Sequence, residues 1–194
     1  MENFWFYVKL GLNHVLDFSA YDHILFLAAL TVPFTFKNWK KVVVLATVFT
    51  VAHCLSLALS TYDVLLMDVE LIEFLIPVTI LMTAIFNLLY IKTGNHDKNI
   101  LLHLLATAYF GLIHGFGFSN YFRMLMSEEA NKLLPLLGFA TGIEISQLLI
   151  VLSVLTVSYA VLSLLKIKHR LFVLITSILI ALFTIPMLIR TFPF

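Results

Sequence analysis

Long apolar runs separated by short charged stretches set the rhythm of this chain. The first run covers about residues 21–36 and stops at Lys37, Asn38, Trp39, Lys40 and Lys41. A second, residues 42–60, leads to an acidic connection holding Asp63, Asp68 and Glu70. The third, 71–91, ends at a polar loop over 92–99 that carries Lys92, His96 and Lys98. A fourth, 100–118, leads to an amphipathic stretch over 120–132 whose Glu128 and Glu129 read as a solvated face. The fifth, 133–165, is long enough to tilt or extend past a bilayer, and the last covers 171–189. A helical crossing needs about 20 apolar residues, so the pattern predicts roughly six crossings. Ahead of them, residues 4–16 are too few to span. Phe4, Trp5, Val8, Leu12 and Val15 recur there at helical spacing, so 1–18 suits a short helix lying in the membrane interface or packed on the bundle. The expected fold is all-α: one polytopic transmembrane helical bundle over 1–194.

Composition agrees. Hydrophobic residues make up 61% of the 194 and charged residues 12%, about half the charged share of an ordinary soluble domain. The net charge of +1, with no basic block, excludes a nucleic-acid partner and leaves the lipid bilayer. The single cysteine, Cys54, excludes an intrachain disulfide and a Cys-based zinc knuckle. Glu2 and the interrupting Lys9 do not form the pattern of a cleaved signal peptide. Orientation follows from the basic residues. Lys37, Lys40, Lys41, Lys92, Lys98, Lys166, Lys168 and Arg170 fall in loops after the odd-numbered runs, against Lys9, Arg123, Lys132 and Arg190 on the other side. Basic loops face the cytoplasm, which places both termini outside; in a bacterium this means the inner membrane with periplasmic termini.

The informative residues are ionisable ones inside apolar runs. A charge at mid-bilayer costs at least about 2.5 kcal/mol on insertion scales, so such groups pair, bind metal or meet water. Asp22 and His23 open the first run, His53 precedes the outer end of the second by about 10 Å of helix, and Glu73 lies in the first turn of the third. His114 sits four residues before the fourth run ends, and Glu144 is about 16 Å into the fifth. Five runs thus deliver imidazole or carboxylate to one depth. Thr47, Thr50, His53, Ser56 and Ser60 form one polar stripe, and Gly138, Thr141, Glu144 and Gln147 another. Gly138 and Gly142, with Gly111, Gly115 and Gly117 around His114, would let helices approach closely.

Imidazole with carboxylate suits a divalent transition metal such as nickel, zinc or iron(II). His23, His53, His114, Glu144 and Asp22 are the candidate ligands. Each also has a plainer reading: an interhelical hydrogen bond for His53, His114 and Glu144, a helix cap for Asp22, a hydrated interfacial group for Glu73. His14 with Asp17 reads as a surface pair three residues apart, Asn87 as a bond to a neighbouring helix, and His96 and His169 as solvated.

Four segments carry a family resemblance. Asp22-His23-Ile24-Leu25-Phe26 resembles the DHxLF core of the HupE/UreJ family, as do Phe49-Thr50-Val51-Ala52-His53-Cys54-Leu55-Ser56-Leu57 and Gly111-Leu112-Ile113-His114-Gly115-Phe116-Gly117-Phe118. Gly142-Ile143-Glu144-Ile145-Ser146-Gln147 is similar to its G-x-E-x-x-Q element. The resemblance implies a multi-spanning protein of metal handling, linked with hydrogenase and urease maturation, some members being nickel permeases. The chain departs from the pattern at Ala52 and Cys54, where Gly and Ser are expected, and at His14, which stands farther ahead of Asp22 than the family's usual His. Two function classes follow. One is a divalent-cation permease with an outward-facing His/carboxylate site. The other is a zinc-dependent intramembrane hydrolase with Asp22 or Glu73 as base; a metal-binding accessory subunit is the plainest form.

Overall fold

The computed structural model describes residues 2–93, 100–127, 129 and 131–193. The loop with His96 and Lys98, and Glu128, lie outside the described residues, as does the side chain of Lys92. Among the described residues every regular element is a helix: α1 (Glu2–Val15), α2 (Asp22–Thr31), a 3-10 turn (Phe36–Asn38), α3 (Trp39–Thr61), α4 (Val69–Thr93), α5 (Ile100–Leu125), α6 (Leu133–Leu164) and α7 (His169–Arg190). Five stretches are long and apolar enough to cross a membrane: Phe36–Thr61, Val69–Leu89, Ile100–Leu125, Leu133–Leu164 and His169–Arg190.

The first expected crossing differs from the rest. Its helix has ten residues, about 15 Å of rise against the roughly 30 Å of a hydrocarbon core. Pro33 supplies no N–H to continue the ladder, so α2 ends at Thr31 with Val32 as a helical cap whose N–H donates to the Ala28 carbonyl. The chain then continues as a non-helical segment over 32–35, with Val32 and Phe34 buried. Irregular backbone at membrane depth is tolerated where protein covers it, and here α4 does part of that: Asn87 Nδ2 donates to the Ala29 carbonyl at 2.8 Å. Asn87 thus bonds a neighbouring helix, as its position in the third run implied.

Glycine sets the closest contacts. A Cβ at Gly115 would strike Ser56 Oγ and the His53 carbonyl, and one at Gly111 would come within 2.7 Å of the Phe49 carbonyl. These contacts press α5 onto α3, the most extensive helix pair in the bundle. Gly138 meets Phe4 and Tyr7, and Gly142 meets Val8 and Leu12. The helix admitted by this glycine pair is therefore α1, running alongside α6 in the same direction. Tyr7, Val8, Gly11 and Val15 are buried, whereas Trp5 is 67% exposed, so α1 is packed along the bundle and its buried face is rotated from the one its apolar spacing indicated. At the end away from the basic loops, Arg123 bonds Asp63 at 2.8 Å and Lys132 Nζ donates to the Thr61 carbonyl at 2.9 Å.

Candidate metal centre

Three helix segments bring histidine to one place. His14 is on the last turn of α1, His23 on the first turn of α2, and His53 on α3. One potential ligand atom from each lies within 4.8 Å of the others. A tetrahedral shell with metal–nitrogen bonds of about 2.0–2.1 Å separates its nitrogens by about 3.3 Å, so small side-chain adjustments would let all three share one ion. His114, on α5, extends the group: its ring centroid is 5.3 Å from that of His23.

Hydrogen bonding orients these rings: His23 Nδ1 lies 3.1 Å from Asp22 Oδ1, and His114 Nδ1 lies 2.9 Å from the Phe110 carbonyl, so the neutral tautomer that donates from Nδ1 leaves Nε2 as the lone-pair nitrogen. A carboxylate behind an imidazole also fixes its orientation and raises its basicity. Nε2 of His14, His23 and His114, and both ring nitrogens of His53, are buried without a protein hydrogen-bond partner. Each such group costs about 1–3 kcal/mol when buried unpaired. Several at one point would be an expensive way to specify packing, and a cation is the ligand for which neutral imidazoles are the right partners.

Aromatic rings enclose the cluster. His14 sits 4.1 Å from the ring of Phe118 and 5.7 Å from that of Phe139. On the other side Phe26 and Phe49 each lie 5.2 Å from His114. Asp22 is the charged member nearest solvent, its side chain 19% exposed. It lines a cavity of about 330 Å³ with Glu73, Tyr21, Pro77 and Arg190, and the exposed Glu73 belongs to that cavity rather than to the imidazole group.

The other expected ligand is placed differently. Glu144 is half-buried on α6, and its oxygens accept hydrogen bonds from Thr47 at 2.6 Å and Thr50 at 2.5 Å. Both threonines lie on the turns of α3 before His53, so the structure brings Glu144 to α3 through hydroxyls and does not place it in the three-histidine group. His14 is the residue the sequence reading set aside. Its pairing with Asp17 gives way to contacts with His23, His53 and Phe118, while Asp17 accepts the Ser19 N–H at 2.8 Å in the turn between α1 and α2. Bonds from Ser19 hold the exposed Asp17 carboxyl below the usual carboxylate range. The signal available for His14 was its proximity to Asp22 and His23 along the chain.

A bundle with five membrane-length apolar helices and a pocket of buried imidazoles is an integral membrane protein of polytopic helical type. The model of the HupE / UreJ protein family matches residues 1–190, so the chain belongs to that family. No curated protein and no solved structure matches it.

Proposed function

We propose that the protein is a divalent-cation permease and that nickel or a related borderline ion is its cargo. The observation that carries this reading is the convergence of His14, His23, His53 and His114 from four helices on one buried point, with unpartnered nitrogens. His14, His23 and His53 are the primary ligands in this reading, and His114 completes the shell. Asp22 orients His23 and supplies negative charge that helps an incoming cation shed water. Glu144 supports the site by fixing α6 to α3 beside His53. Nitrogen-rich, thiol-free donors favour nickel, zinc or iron(II) over softer ions, and the family is one of metal handling. With the basic loops in the cytoplasm, the site opens to the periplasm through the Asp22–Glu73 cavity.

The test is uptake into sealed, oriented vesicles containing the purified protein. Nickel should accumulate saturably, and His53→Ala should abolish accumulation while leaving the bundle monodisperse in detergent. A protein that holds one slowly exchanging ion and accumulates none would be a metal-binding subunit rather than a permease.

A further inference from the structure

Between the histidine cluster and the basic end of the bundle lies a second feature. A cavity of about 40 Å³ sits where α2 breaks off, lined among others by Leu30, Thr83, Asn87, His103, Ala106 and Thr107. A single water needs roughly 10–15 Å³ by this measure, so the space accommodates a small hydrated species. Its polar side chains are Thr83, Asn87, Thr107 and His103. The Thr83 hydroxyl donates to the Thr79 carbonyl at 2.8 Å, and Asn87 Nδ2 donates to the Ala29 carbonyl at 2.8 Å. With those hydrogens engaged, the Thr83 oxygen and the Asn87 amide oxygen remain as acceptors. The cavity also adjoins the C-terminal end of α2, where helix carbonyls gather partial negative charge. Acceptor oxygens, the His103 imidazole and a helix C-terminus together favour a cation, with fewer imidazoles to hold it than the histidine cluster offers.

A layer of phenyl rings divides this cavity from the histidines. Phe26, Phe49 and Phe110 each stand one helical turn toward the basic end from His23, His53 and His114. Phe26 stacks on Phe49 at 4.8 Å and meets Phe110 edge-on at 6.1 Å. Phe26 and Phe49 are fully buried, Phe110 nearly so. Phe110 belongs to both compartments, since its carbonyl bonds His114 Nδ1 and its side of the helix lines the cavity.

We propose that the cavity at the end of α2 is a second, weaker cation station formed by Thr83 and Asn87 beside His103, and that Phe26, Phe49 and Phe110 gate passage between it and the histidine site. This extends the permease reading and rests on it. A conducting path needs sites weak enough to leave, and an apolar constriction gates by excluding water. Ligation by several imidazoles followed by a site made mainly of oxygens is a sequence through which an ion can be released.

Solvent access and occupancy can be read without transport. In a Cys54→Ser background, Ala106→Cys places a thiol on the half-buried wall of the cavity. A membrane-impermeant thiol reagent should label it from the side of the Lys37 and Lys166 loops and not from the other. Millimolar manganese(II), which prefers oxygen ligands, should slow that labelling, and Thr83→Val or Asn87→Leu should remove the protection while leaving the histidine-bound ion in place. Labelling that manganese leaves unchanged, or protection that survives both substitutions, would overturn the station. Phe26→Ala should shorten the residence of the histidine-bound ion about tenfold, because a wetted gap replaces the gate; an unchanged residence time would overturn the gate. Loss of nickel uptake by the wild-type protein would instead count against the permease reading, and the labelling result would be unaffected.

Discussion

Both ring nitrogens of His53 are buried without a protein partner, while His23 and His114 each commit one nitrogen to an oxygen. That difference ranks the expected effects of mutation. The purified protein should retain about one transition-metal ion per chain, the number that one tetrahedral or octahedral shell of these side chains holds. Elemental analysis should find the ion lost in His53→Ala and in His23→Ala, and kept in His169→Ala. Asp22→Asn keeps the shape of the side chain but removes the carboxylate behind His23. Competition with a chelator should show affinity reduced about 10–100-fold, the usual cost of losing such a support. Glu144→Gln should lower affinity much less, since Thr47 and Thr50 occupy the carboxylate. His23, His53 and His114 were legible in the sequence because an imidazole in an apolar run is conspicuous. His14 was not, because Asn13 and Asp17 beside it make the segment look like a polar surface turn. Only the approach of α1 to α6 turns that ring inward.

Helices α1 and α2 are the elements for which apolar patterning was least informative. Four of the five long helices follow the charge punctuation closely, since lipid demands unbroken apolar surface and the polar residues mark where it ends, whereas α5 runs on past the expected end at 118, through Asn120 and Arg123 to Leu125. Run length could not show that the α2 helix spans only half a crossing, because a turn covered by protein is as apolar as helix. Nor could spacing identify the face of α1 that packs, because Trp5 and Phe6 are apolar and still face outward. Glycine was the better guide. A methyl group at Gly142 would meet the Val8 carbonyl and the Leu12 nitrogen, both backbone atoms that cannot swing aside. At Gly117 it would meet Ile76 Cδ1 at 2.7 Å, the flexible end of a side chain. Gly142→Ala should therefore push α1 from α6, carry His14 away and weaken metal retention, with overpacking costing about 1–3 kcal/mol. Gly117→Ala should be nearly silent. Thermal unfolding in detergent and chelator competition on both variants would check the contrast, and equal effects would remove α1 docking as the reason for it.

At the scale of the whole molecule the site is asymmetric across the membrane. The histidine cluster, the Asp22–Glu73 cavity and the loop contacts Arg123–Asp63 and Lys132–Thr61 belong to one half. The other end carries Lys37, Lys40, Lys41, Lys166, Lys168 and Arg170. Basic loops tend to be retained in the cytoplasm, and in the orientation we propose from this distribution the imidazoles lie in the periplasmic half with both termini outside. A reporter active only in the periplasm should function when fused after Phe194, and a cytoplasm-only reporter should function when inserted over 92–99. The same orientation fixes the side from which the site fills. In vesicles of known sidedness, nickel supplied at the face bearing Glu73 should load the histidine site rapidly, and nickel supplied at the basic face should load it slowly, because the Phe26 layer intervenes. Glu73→Gln should slow loading from the first face alone, since it removes charge from the cavity mouth without touching an imidazole. Equal loading from both faces would mean that the cavity beside Asp22 is not the entrance, whatever the reporters say about orientation.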